Sequence, residues 1–151
     1  MGNGRQFLES GGFSAYLYED HPNYSTKIVN GIRGKVIRLK TDPQGDHAGL
    51  PTYANTSDMY FRVNHTQEVI QGRYYADRTL CIDFDWGHEH VNYGGDRKVF
   101  PKGIVHVQTY SVNANGEITR LSNQARYMSE EEINKFGGLI KAFNPNVKFR
   151  P

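Results

Sequence analysis

The sequence predicts an α+β domain, mainly antiparallel β-sheet with a C-terminal helix packed on the sheet or its edge. Three observations carry this. Short runs that alternate polar and apolar residues far outnumber runs with helical spacing. Ten Tyr and eight Phe supply the flat, half-buried surface that pleated strands favour. One segment only, after Met128, opens with a strong helix-start signal. At 151 residues the chain suits a single domain, 1–151, with residues 1–12 expected to form a flexible lead-in.

Phe13 to Glu19 alternates and is rich in aromatics, and Asp20-His21-Pro22-Asn23 ends it as a turn. Gly34 to Thr41 places Val36 on one face with Ile37 and Leu39 on the other, and stops at Asp42-Pro43-Gln44-Gly45-Asp46. Met59 to Asn64 and Glu68 to Tyr75 form two more strands, with Gly72 marking a bulge or a close backbone approach. In the strongest strand, Thr79 to Trp86, Leu80, Ile82, Phe84 and Trp86 share one side while Cys81, Asp83 and Asp85 share the other. Ile104 to Val112 is the next strand. Asn113-Ala114-Asn115-Gly116 turns the chain, and Glu117 to Leu121 returns as its partner. Ser129-Glu130-Glu131-Glu132 then reads as a capping box. Ile133, Phe136 and Ile140 lie on one helical face, Gly137-Gly138 end or weaken the helix, and Pro145 stops it.

Composition excludes several classes. No window approaches the 18 or so apolar residues of a membrane span, and the N-terminus lacks an apolar stretch of signal-peptide length. Cys81 stands alone in an apolar run, which excludes an intrachain disulfide and a thiolate zinc cluster and points to a buried core thiol. A net charge of +2 permits contact with nucleic acid without the basic excess that would argue for it.

Chemistry concentrates between Asp83 and His106. Three of the six His fall there, with Asp83 and Asp85 just upstream and Arg97, Lys98 and Lys102 between. If the strand continues through Gly87, His88 and His90 point the same way. Antiparallel pairing of the two flanking strands brings His106 to them across a loop of roughly 17 residues, a length usually associated with function or disorder. Two chemistries fit. In metal-free phosphodiester transfer, one neutral imidazole takes a proton from a ribose 2′-OH, a protonated one gives a proton to the leaving oxygen, an Asp orients, and Lys or Arg stabilises phosphate charge. In a metal site, His88, His90 and His106 hold a divalent ion with a carboxylate as fourth or outer ligand. No cofactor is favoured over the metal-free route. Against both stands the plainer reading of His88 and His90 as solvated loop, Asp83 and Asp85 as the solvent face of an edge strand, and His106 as a half-buried structural residue. His21, His47 and His65 sit in turn-like contexts and are expected to be structural or exposed. Arg73-Tyr74-Tyr75, and Tyr93 with Arg97 and Lys98, interleave cations with flat rings as a stacking surface for nucleic acid does, although alternating Tyr are more often core.

The runs Gln71-Gly72-Arg73-Tyr74-Tyr75, Asp77, Ile82 to His90 and Phe100-Pro101-Lys102-Gly103-Ile104-Val105-His106-Val107, preceded by Leu50-Pro51 and small polar residues, resemble a segment common at the C-terminal ends of bacterial polymorphic toxins and in some prophage proteins. The resemblance spans about a third of the chain. In that pattern the second histidine element is often His-x-His, where this chain has Gln108 in place of one imidazole. The resemblance implies an effector domain acting in the cytoplasm of a target cell, nuclease chemistry, and a cognate immunity protein covering the site. The leading expectation is therefore a ribonuclease with His88, His90 and His106 as acid–base groups, Asp83 or Asp85 orienting, and Lys102, Arg97, Lys98 and Tyr93 on the RNA or other nucleic acid. The alternatives are a metal-dependent hydrolase on the same residues and a non-enzymatic phage- or secretion-associated binding module.

Overall fold

The computed structural model describes residues 17–42, 44, 50–51, 58–75, 80–93, 97–112, 118–120 and 124–151, without the side chains of Leu80, Cys81, Val112, Ile118 and Arg120. The expected lead-in at 1–12, the first half of the Phe13–Glu19 strand, His47, the Asn113–Gly116 turn and the Cys81 thiol lie outside the described residues.

One large sheet is built from β1 (Tyr18–Asp20), β2 (Lys27–Val29), β3 (Ile32–Leu39), β4 (Met59–Val63), β5 (Val69–Tyr75), β6 (Leu80–Asp85), β9 (His106–Val112), β10 (Ile118–Arg120) and β11 (Arg126–Tyr127). Its order is β1-β3-β4-β5-β6-β9-β10, with β2 on β3 and β11 on β9. Every pairing is antiparallel except β3 with β4. Between β6 and β9 the chain makes a separate ribbon, β7 (His90–Val91) with β8 (Val99–Phe100). The strand β2 was not expected from alternation. Its signal is Asn30-Gly31, both at positive φ (53° and 77°), which is the backbone a tight two-residue hairpin requires.

The helix α1 (130–143) begins with the expected capping box: the Glu132 N–H donates to Ser129 Oγ (3.1 Å) and the Ser129 N–H to Glu132 Oε1 (2.9 Å). It runs through Gly137-Gly138, taking a π turn over Ile133–Gly137, and ends at extended Asn144. Phe136, Leu139, Ile140 and Phe143 are buried against the sheet. They meet Val36, Met59, Phe61, Val63, Phe84 and Val107, with Phe143 on Phe61 (4.7 Å between ring centres) and Phe136 on Phe84 (5.0 Å). This is the main core, and strand alternation dictates it. The close approach expected at Gly72 is confirmed, since a Cβ there would stand 2.7 Å from Met59 and Phe61; the bulge lies instead between Arg62 and Val63.

The other face divides in two. Toward one end of the strands Tyr18, Ile37, Leu50, Tyr60, Tyr75 and Tyr110, drawn from β1 across to β9, form a second apolar cluster. Toward the Asp85–His106 end the same face carries Arg62, Gln71, Arg73, Asp83, Asp85, His106 and Gln108, placed together by register: Gln71 opposite Asp85, Arg73 opposite Asp83, Asp85 opposite His106 and Asp83 opposite Gln108.

Candidate functional site

The expectation of Asp83 and Asp85 as the solvent face of an edge strand is corrected by position. β6 lies between β5 and β9, and the two carboxylate side chains are 13% and 12% exposed. They are treated very differently. Asp83 accepts from Arg73 Nε (2.9 Å) and from Gln71 Nε2 at both oxygens (2.8 and 3.0 Å). Gln71 Oε1 in turn accepts from Arg62 Nε. Arg73 also donates to the Leu50 and Pro51 carbonyls (3.1 and 3.2 Å) and lies over the Tyr110 ring. Burial pulls the Arg73 pKa down, but Asp83 and the Tyr110 and Tyr75 hydroxyls outweigh it and hold the guanidinium above its ordinary value.

Asp85, two residues on, accepts the Gly87 N–H (3.0 Å) and stands 3.5 Å from His88 Nδ1. Burial pushes its carboxyl up, and Asp83 adds to the rise; His88, the Gly87 N–H and Arg62 oppose it. Across the strands, His106 is 3% exposed. Burial lowers its pKa to about 4, and the neighbouring His90 and His88 add to the drop, so the ring is neutral near pH 7. Among the described residues His106 Nδ1 is buried without a hydrogen-bond partner of ordinary geometry, while the Ile104 backbone bears on the ring and favours its charged form.

The chain does not continue as a strand through Gly87, so the expectation that His88 and His90 share a strand face fails. β6 ends at Asp85 and the chain bends at Gly87-His88 before β7 starts at His90. Both imidazoles nevertheless reach His106, from different directions. His88 is exposed and meets it edge-on at 6.1 Å between centres; His90 stacks on it at 5.2 Å and 27°. The base of this excursion is tied down by Gly103 N–H to the Trp86 carbonyl (2.9 Å) and Val105 N–H to the Lys148 carbonyl (2.9 Å).

Asp85, His88 and His106 offer one ligand atom each within 4.8 Å of one another, a set that could hold a metal ion. It differs from the expected set of three imidazoles. His90 Nε2 is engaged with Asn92 Oδ1 (3.0 Å), and a carboxylate takes the third place. The chemistry of the donors, two imidazoles and a carboxylate, fits a divalent ion.

Of the residues expected to bind substrate, Tyr93, Arg97, Lys98 and Lys102 are all exposed on the β6–β9 excursion. Arg97 covers the Tyr93 ring at 5.5 Å. Lys98 lies over Phe100 (5.3 Å) and Tyr127 (4.8 Å), and Phe100 stands 5.9 Å from His106, so this ammonium is one ring away from the histidines. Lys102 sits in the turn before Gly103. Of the remaining His, His21 is buried and structural, with its Nδ1 accepting from the Asn23 N–H and its Nε2 facing Gln67 Oε1 at 2.7 Å; His65 is exposed.

Sequence reasoning missed Arg62, Gln71 and Gln108 as members of this face, and Asn92 as the partner of His90. Alternation along β4, β5 and β9 carries the signal for the first three, but only once the register is known. Gln108, standing where the resemblance leads one to expect an imidazole, has its Nε2 buried without a partner among the described residues. Comparison with protein-family models, with curated proteins and with solved structures found no match to this chain.

Proposed function

We propose that this chain is a ribonuclease that cleaves by histidine acid–base catalysis at the Asp85–His88–His106 rim. One observation supports the reading above others: a buried neutral imidazole, His106, lies 6.1 Å from an exposed one, His88, with a carboxylate opposite the first and beside the second. Two titratable groups of the same kind in opposite environments are what a base and an acid require. His106 takes the proton of a ribose 2′-OH as that oxygen attacks phosphorus. His88, reloaded from solvent and oriented by Asp85, gives a proton to the departing 5′-oxygen, and a 2′,3′-cyclic phosphate results. An anionic phosphate beside His106 raises its pKa toward neutrality, which turns a weak base into an effective one when substrate arrives. Lys98, Arg97 and Lys102 supply cations for the phosphate chain, and exposed Tyr93 offers a face to an unpaired base.

The resemblance to polymorphic-toxin effector domains suggests the setting: action in a target cell's cytoplasm, held in check by an immunity protein that covers this rim. Separate His88→Ala and His106→Ala variants are expected to lose RNA cleavage by about 100-fold or more while remaining folded by circular dichroism. Full activity in both overturns the proposal. Induced expression of the wild type should arrest growth, and the two variants should not.

The donor set Asp85, His88 and His106 favours a second reading, a metal-dependent hydrolase in which the ion would activate water. Cleavage that survives exhaustive chelation excludes it. Cleavage abolished by chelation and restored by one divalent ion replaces the metal-free reading.

A further inference from the structure

We infer that Asn92 is a positioning residue that fixes the tautomer of His90, leaving Nδ1 of His90 as the nitrogen free to accept a proton. The Asn92 amide is buried and docked on the backbone of Ala125. Its Nδ2 donates to the Ala125 carbonyl (2.8 Å) and its Oδ1 accepts the Ala125 N–H (2.9 Å). This pairing allows one orientation only, because the flipped amide sets donor against donor and oxygen against oxygen. The atom that faces His90 Nε2 at 3.0 Å is therefore the oxygen, which accepts and cannot donate. Nε2 must carry a hydrogen, and in the neutral ring Nδ1 carries the lone pair. When His90 is protonated, Nε2–H still donates to the same oxygen. Asn92 thus accommodates both states without moving, as a partner of a proton-transferring group must.

The placement is built in. Asn92 follows β7 and its own N–H donates to the Lys98 carbonyl (2.9 Å) at the mouth of the β7–β8 ribbon, while Ala125 immediately precedes β11, whose Tyr127 lies opposite His106. One side chain joins the ribbon that carries His90 to the strand edge beside His106. In this arrangement His90 is a third imidazole stacked on His106, able to take up a proton at Nδ1 and so hold charge beside it. That kinetic role rests on the acid–base reading of the site, whereas the tautomer does not.

Imidazole nitrogen NMR on the full-length protein separates the two. In its neutral form, wild-type His90 is expected to show a protonated Nε2 with a slowly exchanging hydrogen hydrogen-bonded to Asn92, and an unprotonated Nδ1. Asn92→Ala should lose that exchange protection and let the ring sample both tautomers. Asn92→Asp retains an acceptor and should retain protonated Nε2. With RNA as substrate, Asn92→Ala should lower kcat roughly tenfold with little change in KM, and Asn92→Asp should recover part of it. A wild-type His90 protonated at Nδ1, or an Nε2 hydrogen in fast exchange with solvent, overturns the inference even if Asn92→Ala fails to fold. Wild-type protein that shows the expected tautomer but does not cleave RNA overturns the function proposed above and leaves this assignment standing.

Discussion

Asp83 and Asp85 project from the same face of the same strand, yet the first belongs to a closed region of the molecule and the second to an open one. Asp83 is bound by Arg73 and Gln71, and behind it the face is sealed by the Tyr18, Tyr60, Tyr75 and Tyr110 cluster. Asp85 faces two imidazoles and makes no ion pair with Arg or Lys among the described residues. A buried charge with its hydrogen bonds satisfied holds structure together. One left partly satisfied costs stability and is available for chemistry. Register produces the difference: Arg73 falls opposite Asp83, whereas the residue opposite Asp85 is Gln71, whose amide turns away to Asp83.

The same isosteric change made at both positions separates the closed region from the open one most sharply. Asp83→Asn leaves the Arg73 guanidinium buried without its counter-charge and sets a new N–H donor against those of Arg73 and Gln71. Unfolding by denaturant should show a loss of about 3 kcal/mol or more. Replacing Asp83 and Arg73 together with Leu and Met should recover most of that loss, because the pair's removal also removes its desolvation cost. A near-neutral Asp83→Asn shows the region is not closed.

The closed region was largely legible in the sequence and the open one only in part. Val36 and Ile37 were assigned to opposite faces, and each joins a different apolar cluster. The capping box at Ser129 and the approach of His106 to the end of the Thr79 strand follow from local chemistry and pairing direction. The path from Gly87 to Gly103 was not legible. It is a ribbon set by contacts between residues distant in sequence, such as Asn92 with Ala125 and Val105 with Lys148. Alternation carried through Gly87 therefore pointed His88 and His90 the wrong way. The Asn30-Gly31 hairpin was readable from its dipeptide, but the strand before it, β2, is only three residues long and gives alternation little to act on.

The next effect in size concerns His106, through pH. Its native pKa of about 4 lies below the ordinary value of 6.5. Between those values the unfolded chain binds the proton and the folded one does not, so stability rises with pH across that window and is constant above it as far as this residue is concerned. Acidification from pH 7 to pH 4 should cost roughly 2 kcal/mol through this ring, and the loss should be absent in His106→Leu. Parallel stability profiles for wild type and variant across pH 4–7 would falsify the assignment of His106 as a neutral buried imidazole.

The smallest expected effect has the opposite sign and says most about the open region. Burial and Asp83 raise the Asp85 pKa, so its ionised form is less favourable in the folded protein than in the unfolded chain. Above the native pKa the charge therefore costs stability, and that cost vanishes as the pH falls below the unfolded value. Asp85→Asn removes the charge while keeping an oxygen for the Gly87 N–H, and should stabilise the protein at pH 7 by about 1 kcal/mol, with the gain fading in acid. The same substitution removes the carboxylate that orients His88 and should depress RNA cleavage. Thermal unfolding and cleavage measured on the one variant test both halves. A gain in stability accompanied by a loss of activity marks a residue kept for chemistry, whereas a loss of stability of the size expected at Asp83 places Asp85 in the structural network after all.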